Sequence, residues 1–374
     1  MRRANEAIIR ERHPIPTVDE VLQDLNQSTV FSKLDCRLGF HQLELHEESR
    51  PITTFATHLG LFQYTRLFFG VNSAPELYQH IIRQVLQNCP GTANIADDII
   101  VHGKSKAEHD VRLEKVFQTL LKAGLTLNKE KCQFGMTQLE FMGHLISHRG
   151  FGPTKSRVEA IRQAREPQSA AEVRSFLGLV NFCSRFIPNM ASVSEPLRRL
   201  TRQNVKSEWK DEQKEAFQKL KNAMTEAQTL AFFDIDAETQ VIADARPVGL
   251  GAVLVQKQNG EHRVICYASR SLSDVERRYL QTAKEALGLV WACERFYVYL
   301  SGIHFKLITD HKPLEVIFGP RSKQSARIER WVLRLQQFDY EVVCTPGSSN
   351  IADSLSRLSV GQKASRNGML QKNT

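Results

Sequence analysis

The sequence predicts an α+β protein in three stretches, and three observations support that class. The chain has 374 residues with 41% hydrophobic content, enough for two to three domains whose cores hold by packing alone. Short β-rich runs alternate with helical patterns up to about Gly150 and again from about Phe233 to Leu358. Between them the pattern is helical. Boundaries are therefore expected at 1–153, 154–232 and 233–358, with a polar tail at 359–374.

In the first stretch VFSKLD (30–35), HQLEL (41–45), ITTFAT (52–57) and QYTRL (63–67) read as strands, with Gly39 and Gly60 as breaks. Ser73 followed by Pro75 starts a helix that should run to about Asn88, where Pro90 and Gly91 stop it. TANIADDIIVHG predicts a hairpin with its turn at Asp97-Asp98. A further helix spans about Ala107 to Ala123 and ends at Gly124.

In the second stretch Ser169 and Glu172 form a capping box, followed by Val173, Phe176, Leu177 and Val180 at helical spacing. Arg174, Asn181 and Arg185 fall on the opposite face. A helix over Asp211 to Thr225 should turn Ala216, Phe217, Leu220 and Met224 inward. In the third stretch TQVIAD, GAVLVQ and VICYAS read as strands, followed by a helix from Thr282 to Tyr299 and strand HFKLITD. A helix over Ser325 to Gln337, strand YEVVCT and a short helix at NIADSLSR complete a small sheet with helical cover.

Seven scattered Cys without a C-x-x-C pair, and twelve scattered His, argue against a disulfide framework or a zinc ribbon. No run of about 18 apolar residues and no signal-like leader occurs, so a soluble intracellular chain without membrane contact is expected. The formal charge of +9 is local. Residues 1–153 carry 17 basic and 17 acidic side chains and 207–356 carry 19 and 20, whereas 154–206 carry 10 against 4 and 357–374 carry 4 against none. A polyanionic partner on the helical stretch follows from that distribution.

The chemistry lies in acids at the ends of apolar strands. An isolated Asp-Asp pair is usually a turn, but Asp97 and Asp98 are flanked by Ile95, Ile99, Ile100 and Val101. Adjacent carboxylates in apolar surroundings repel, and a divalent cation is the usual compensation. Asp35 ends another apolar strand, so three acids could converge in a two-metal site for phosphoryl chemistry. Asp244 and Asp310 close two further strands, Asp353 lies in the last helix, and Glu285 shares an apolar stripe with Leu289, Ala292 and Phe296. Residue types alone leave structural and metal-binding roles open for these four.

RERHPIPTVDEVLQDL, FSKLDCRLGFHQLEL, ITTFATHLGLFQYTRLFFGVNSAPELYQ, NIADDIIVHG and LTLNKEKCQF together resemble the palm of the reverse transcriptase of gypsy-type long-terminal-repeat retrotransposons. RSFLGLVNFCSRFIP resembles its thumb. VIADARPVGLGAVLVQ, KEALGLVWACERFYVYL, ITDHKPLE and NIADSLSR resemble its ribonuclease H domain. The resemblance covers nearly all of the chain except the tail. It implies a right-hand polymerase palm and helical thumb followed by an α/β ribonuclease H-like domain.

It also implies roles for residues. Asp35, Asp97 and Asp98 match the polymerase carboxylates, and Asp244, Glu285, Asp310 and Asp353 match those that cut the RNA of a hybrid. Each set would hold two Mg²⁺ ions, which Mn²⁺ could replace. Phe40 matches the aromatic that excludes a ribose 2′-hydroxyl, and Phe69 and Gly70 match the nucleotide pocket. Arg174 and Arg185 are expected to contact nucleic acid. The implied partners are an RNA template, a DNA primer, an RNA/DNA hybrid and deoxynucleoside triphosphates, and a homodimer is compatible with the family.

The sequence departs from the family pattern in several places. The family's fingers, with their triphosphate contacts, are expected to lie before the first residue. Ile95 stands where Tyr or Phe is usual, Phe68 replaces a Pro, and Ala243 and Arg246 replace Thr and Ser beside Asp244, where Arg246 can pair with that acid. Two alternatives to an active reverse transcriptase with ribonuclease H therefore stay open: a nuclease-only fragment and a catalytically impaired nucleic-acid-binding remnant.

Overall fold

The computed structural model describes residues 5–6, 8–9, 13–202, 208–319 and 325–345. It forms two compact units, residues 1–148 and 149–374. The helical stretch and the sheet that follows it fall together in the second. No helix among the described residues is long and apolar enough to cross a membrane.

The first unit opens with α1 (Val18–Asp24), capped by Thr17 and Glu20 in a reciprocal box. Next come β1 (Val30–Asp35), β2 (Phe55–Thr57), β3 (Gly60–Phe62) and α2 (Ala74–Leu86). The hairpin β4 (Thr92–Ile95) and β5 (Asp98–Gly103) leads to α3 (Lys106–Lys122) and strands β6 (Gln133–Met136), β7 (Gln138–Phe141) and β8 (His144–Ser147). The main sheet has the order β4-β5-β1-β6. Leu34, Ile99 and Val101 from its strands pack with Tyr78, Ile82, Val116 and Leu120 from α2 and α3. Each fully buried aliphatic side chain there contributes about 1.5–3 kcal/mol.

Three expectations change in this unit. Residues 41–45 and 63–67 are not strands; they form one isolated bridge, Glu44↔Arg66, flanked by hydrogen bonds from the Leu45 amide to Thr65 O and from the Leu67 amide to Leu43 O. Leu38, at φ 53°, turns the chain into a 3-10 segment over Gly39–Gln42, which consumes the start of the first run. Residues 51–53 form another 3-10 turn opened by Pro51, so the strand expected over 52–57 shortens to β2. The β4–β5 turn is Ala96-Asp97, not Asp97-Asp98, because Asp98 is already paired with Ile95 and Asp35.

In the second unit β9 (Gly150–Pro153) bonds to Leu230 through Phe151. Then follow α4 (Lys155–Gln163), α5 (Ala170–Phe182), the short α6 (Met190–Val193) and α7 (Glu195–Arg199), and α8 (Asp211–Thr225). Ser169 accepts from the Glu172 amide as expected, but the Glu172 carboxylate bonds the Gln168 amide, so the box is only half formed. All four side chains predicted to face inward from α8 are buried.

The sheet that follows has β10 (Glu238–Ala245), β11 (Gly249–Gln258), β12 (Glu261–Ser271), β13 (His304–Thr309) and β14 (Asp339–Cys344), in the order β12-β11-β10-β13-β14. Strands β10 to β12 are antiparallel, and β13 joins β10 in parallel. The helix expected over 282–299 breaks at Phe296 into α9 (Gln281–Arg295) and α10 (Tyr297–Leu300). α11 (Pro313–Ile317) and α12 (Ala326–Leu335) complete the described part. The short helix expected at NIADSLSR, with Asp353, and the tail lie outside the described residues. All seven cysteines are free thiols.

A buried histidine makes the first unit acid-sensitive. His102 on β5 is 6% exposed and its Nδ1 lies 2.7 Å from Ser28 Oγ. Burial, with the Arg112 guanidinium second, lowers its pKa to about 4. The unfolded chain, at the ordinary value near 6.5, binds this proton more readily, so the neutral imidazole stabilises the fold above about pH 6.5. That contribution, on the order of 3 kcal/mol at most, is lost as pH falls from about 6.5 towards 4. His102→Gln is expected to flatten the decline of thermal stability over this window; an unchanged slope would refute the assignment.

Candidate active sites

In the first unit, strand register places the acids. Asp35 ends β1 and pairs directly with Asp98 at the start of β5, while Asp97 sits in the intervening two-residue turn. Burial first, then the neighbouring charge of Asp35, raises the Asp97 carboxyl above the usual carboxylate range. Its Oδ1 is buried without a hydrogen-bond partner. The other two acids have cationic neighbours: Lys33 Nζ lies 3.0 Å from Asp98 Oδ1 and Lys131 Nζ 3.6 Å from Asp35 Oδ2.

Lys33 and Lys131 were not anticipated. Lys33 had a readable signal, since strand period two puts it on the same face as Asp35. The predicted pocket aromatics also meet: the Phe40 ring lies 4.9 Å from Phe69 and 5.3 Å from Tyr78, centroid to centroid. Gly70, at φ 99°, accepts from the Asn5 side chain. Phe68, where the family has Pro, is buried and stacks on Tyr64 at 3.8 Å.

In the second unit β10 and β13 pair in parallel up to Ile242 and Ile308; Asp244 lies two residues further along β10, Asp310 just follows β13, and both lie close enough to Glu285 to act on its charge. Glu285 reaches them from α9, 7% exposed as its apolar stripe predicted. Burial first, with the charges of Asp244 and Asp310 adding, pushes its carboxyl up to about 7. Its oxygens accept from the Ala245 amide at 3.1 Å and the Gln281 side chain at 2.5 Å. Arg246 does pair with Asp244, Nε to Oδ2 at 3.1 Å, with both side chains about half exposed.

Among the described residues, no group of three or more His, Cys, Asp or Glu side chains stands as a ready metal cage. The donors nevertheless suit a hard divalent cation, because all are carboxylate oxygens and Asp97 offers a buried, unpartnered one.

The expected nucleic-acid arginines differ from each other. Arg174 is on the exposed face of α5, where Nη2 donates to Thr201 O at 3.1 Å. Arg185 lies beyond the end of α5 and turns inward, its guanidinium 4.9 Å over the Phe151 ring and bonded to the Tyr299 hydroxyl at 3.3 Å. It packs the core edge and is not on the face shared by Arg174.

The first unit is thus an α+β sheet with acids at a strand end and in a hairpin turn, and the second a five-stranded sheet with Asp244 in β10, Asp310 after β13 and Glu285 on the helix α9. Comparison with known families agrees: the profile of reverse transcriptase (RNA-dependent DNA polymerase) matches residues 1–146, and that of the RNase H-like domain found in reverse transcriptase matches 234–338. The chain is 35% identical over 96% of its length to the retrovirus-related Pol polyprotein from transposon 297 of Drosophila melanogaster, covering 34% of that protein. It is 31% identical over 92% of its length to the transposon Tf2-3 polyprotein of Schizosaccharomyces pombe, covering 26%. It thus spans about a third of the curated relatives it matches. A foamy viral protease-reverse transcriptase solved with double-stranded DNA superimposes with a TM-score of 0.81 at 24% identity, over 92% of this chain and 62% of that one. The chain belongs to the gypsy-type retrotransposon Pol family and carries its reverse transcriptase and ribonuclease H-like domains.

One close approach in the first site is testable. A Cβ on Gly39 would stand 2.1 Å from Asp97 Oδ1. Gly39 has ordinary negative φ, where Gly→Ala normally stabilises by about 0.4–1 kcal/mol. Here overpacking, at about 1–3 kcal/mol, should reverse the sign. Gly39→Ala is expected to lower the urea midpoint; a raised midpoint would contradict the contact.

Proposed function

We propose that the chain is an RNA-directed DNA polymerase with ribonuclease H activity, working through two separate sets of carboxylates. The reading rests chiefly on the β1–β5 register, which brings Asp35, Asp97 and Asp98 to one strand end. These three would hold Mg²⁺ in the first site, and Asp244, Glu285 and Asp310, with Asp353 by resemblance, in the second. When bound, the metals would stabilise charge on the attacking and leaving oxygens.

The chain's own residues do the remaining work. Asp97, whose carboxyl is raised by burial and by Asp35, is driven towards a compensating cation. Phe40 and Phe69, their rings tilted at 47° to each other, offer an aromatic surface for the sugar of a deoxynucleoside triphosphate. In the second site Glu285, fixed by Ala245 and Gln281, faces Asp244 and Asp310 and is poised to orient a water. The partners that follow are an RNA template, a DNA primer and their hybrid.

A second reading, a binding remnant with impaired cleavage, draws support from the Arg246–Asp244 pair, because a metal at Asp244 must displace that guanidinium. The two readings separate on the unmodified chain. The first expects Mg²⁺-dependent primer extension and hybrid cleavage, and the remnant expects hybrid binding alone.

Asp97→Asn is expected to abolish extension on an RNA template and leave cleavage of a labelled hybrid within about twofold, while Asp310→Asn does the reverse. Loss of both activities in either variant would contradict two independent sites. For binding, Arg174→Ala should reduce the slope of log K against log salt by about 1, and Arg185→Ala should not. An equal reduction in both would overturn the packing role given to Arg185.

A further inference from the structure

We infer that Gln79 is a positioning residue for the Asp97 carboxylate, acting through the backbone of the turn that carries it. This rests on the polymerase reading of that site. Gln79 is on α2 and is 1% exposed. Burying a side-chain amide is unfavourable unless both its ends are bonded. Both ends of this one bond to backbone groups of the β4–β5 hairpin: Nε2 donates to Asn94 O at 3.0 Å, and Oε1 accepts from Ala96 N at 2.7 Å. Its orientation is unambiguous, since a carbonyl can only accept and an amide N–H can only donate.

The turn has reason to need such a clasp. Ala96 is at φ 49°, a left-handed conformation that residues with a Cβ leave unless their surroundings hold them. The next residue is Asp97, whose carboxylate is crowded against Gly39 on one side and repelled by Asp35 and Asp98. The Asp97 carbonyl is tied to the Cys36 amide at 3.2 Å. The turn is therefore held from β1 by that bond and from α2 by Gln79. Removing the second hold lets Ala96 relax to negative φ and swings the Asp97 side chain out of register with Asp35 and Asp98.

The test uses the full chain and two variants, Gln79→Met, which fills the same volume without either bond, and Gln79→Glu, which keeps an oxygen for the Ala96 amide. Ile82→Val, a buried change on the same helix, controls for lost packing. Amide hydrogen exchange at Ala96 should quicken at least tenfold in Gln79→Met, stay within threefold in Gln79→Glu, and not change in Ile82→Val. Primer extension should fall at least tenfold in kcat for Gln79→Met, with KM for the deoxynucleoside triphosphate within twofold and a threefold or greater rise in half-saturating Mg²⁺. Hybrid cleavage should remain within twofold. Should Gln79→Met not fold, Gln79→Glu still decides the matter, with kcat expected below the unmodified chain and Ala96 protection kept. Unchanged Ala96 exchange in Gln79→Met, or the same losses in Ile82→Val, would overturn the role. An unmodified chain that extends no primer, yet shows the exchange pattern, would defeat the polymerase reading and leave the clasp standing.

Discussion

Everything in both sites depends on holding like-charged carboxylates together against their mutual repulsion. The fold does this with backbone register, whose energy is spread over whole strands and is insensitive to the charges at their ends. Asp35 and Asp98 face each other because six consecutive pairs of β1 and β5 align them. Asp244 and Asp310 both act on Glu285 from the same ends of β10 and β13, which run parallel. The cost appears as the raised carboxyls of Asp97 and Glu285, for which burial is the leading cause and the neighbouring acids add to it. That cost favours binding of a divalent cation.

The two sites hold this tension differently before any cation arrives. In the first, lysines lie beside Asp35 and Asp98, while Asp97 keeps an unpartnered oxygen. In the second, the Ala245 amide and the Gln281 side chain satisfy Glu285, and Arg246 covers Asp244. The first site therefore has its least compensated acid in the β4–β5 turn, whereas the second has Asp244 paired with an arginine and Asp310 exposed.

Much of this was legible in the sequence. β1 matches the expected bounds because VFSKLD is an uninterrupted apolar-flanked run, and α8 matches because its apolar spacing is regular. The inward orientation of Glu285 followed from the stripe it shares with Leu289, Ala292 and Phe296. What failed did so for local backbone reasons. The left-handed Leu38 and Ala96 shifted a 3-10 segment and a hairpin turn by positions that periodicity cannot resolve. Arg185 was misplaced because helical spacing was extended past Phe182, where α5 ends. Gln79 left no signal, since its role exists only once the hairpin has folded against α2. The local excess of basic residues over 154–206 remains consistent with a polyanionic partner, but Arg185 contributes packing to it.

The most direct test of the central claim is anomalous diffraction from crystals of the full chain grown with Mn²⁺. The account predicts manganese bonded to Asp97 together with Asp35 or Asp98, with Lys33 withdrawn from Asp98, and manganese at Asp244 and Glu285 with Arg246 displaced. Crystals that bind the ion at neither set, with the Lys33–Asp98 and Arg246–Asp244 pairs intact, would contradict it.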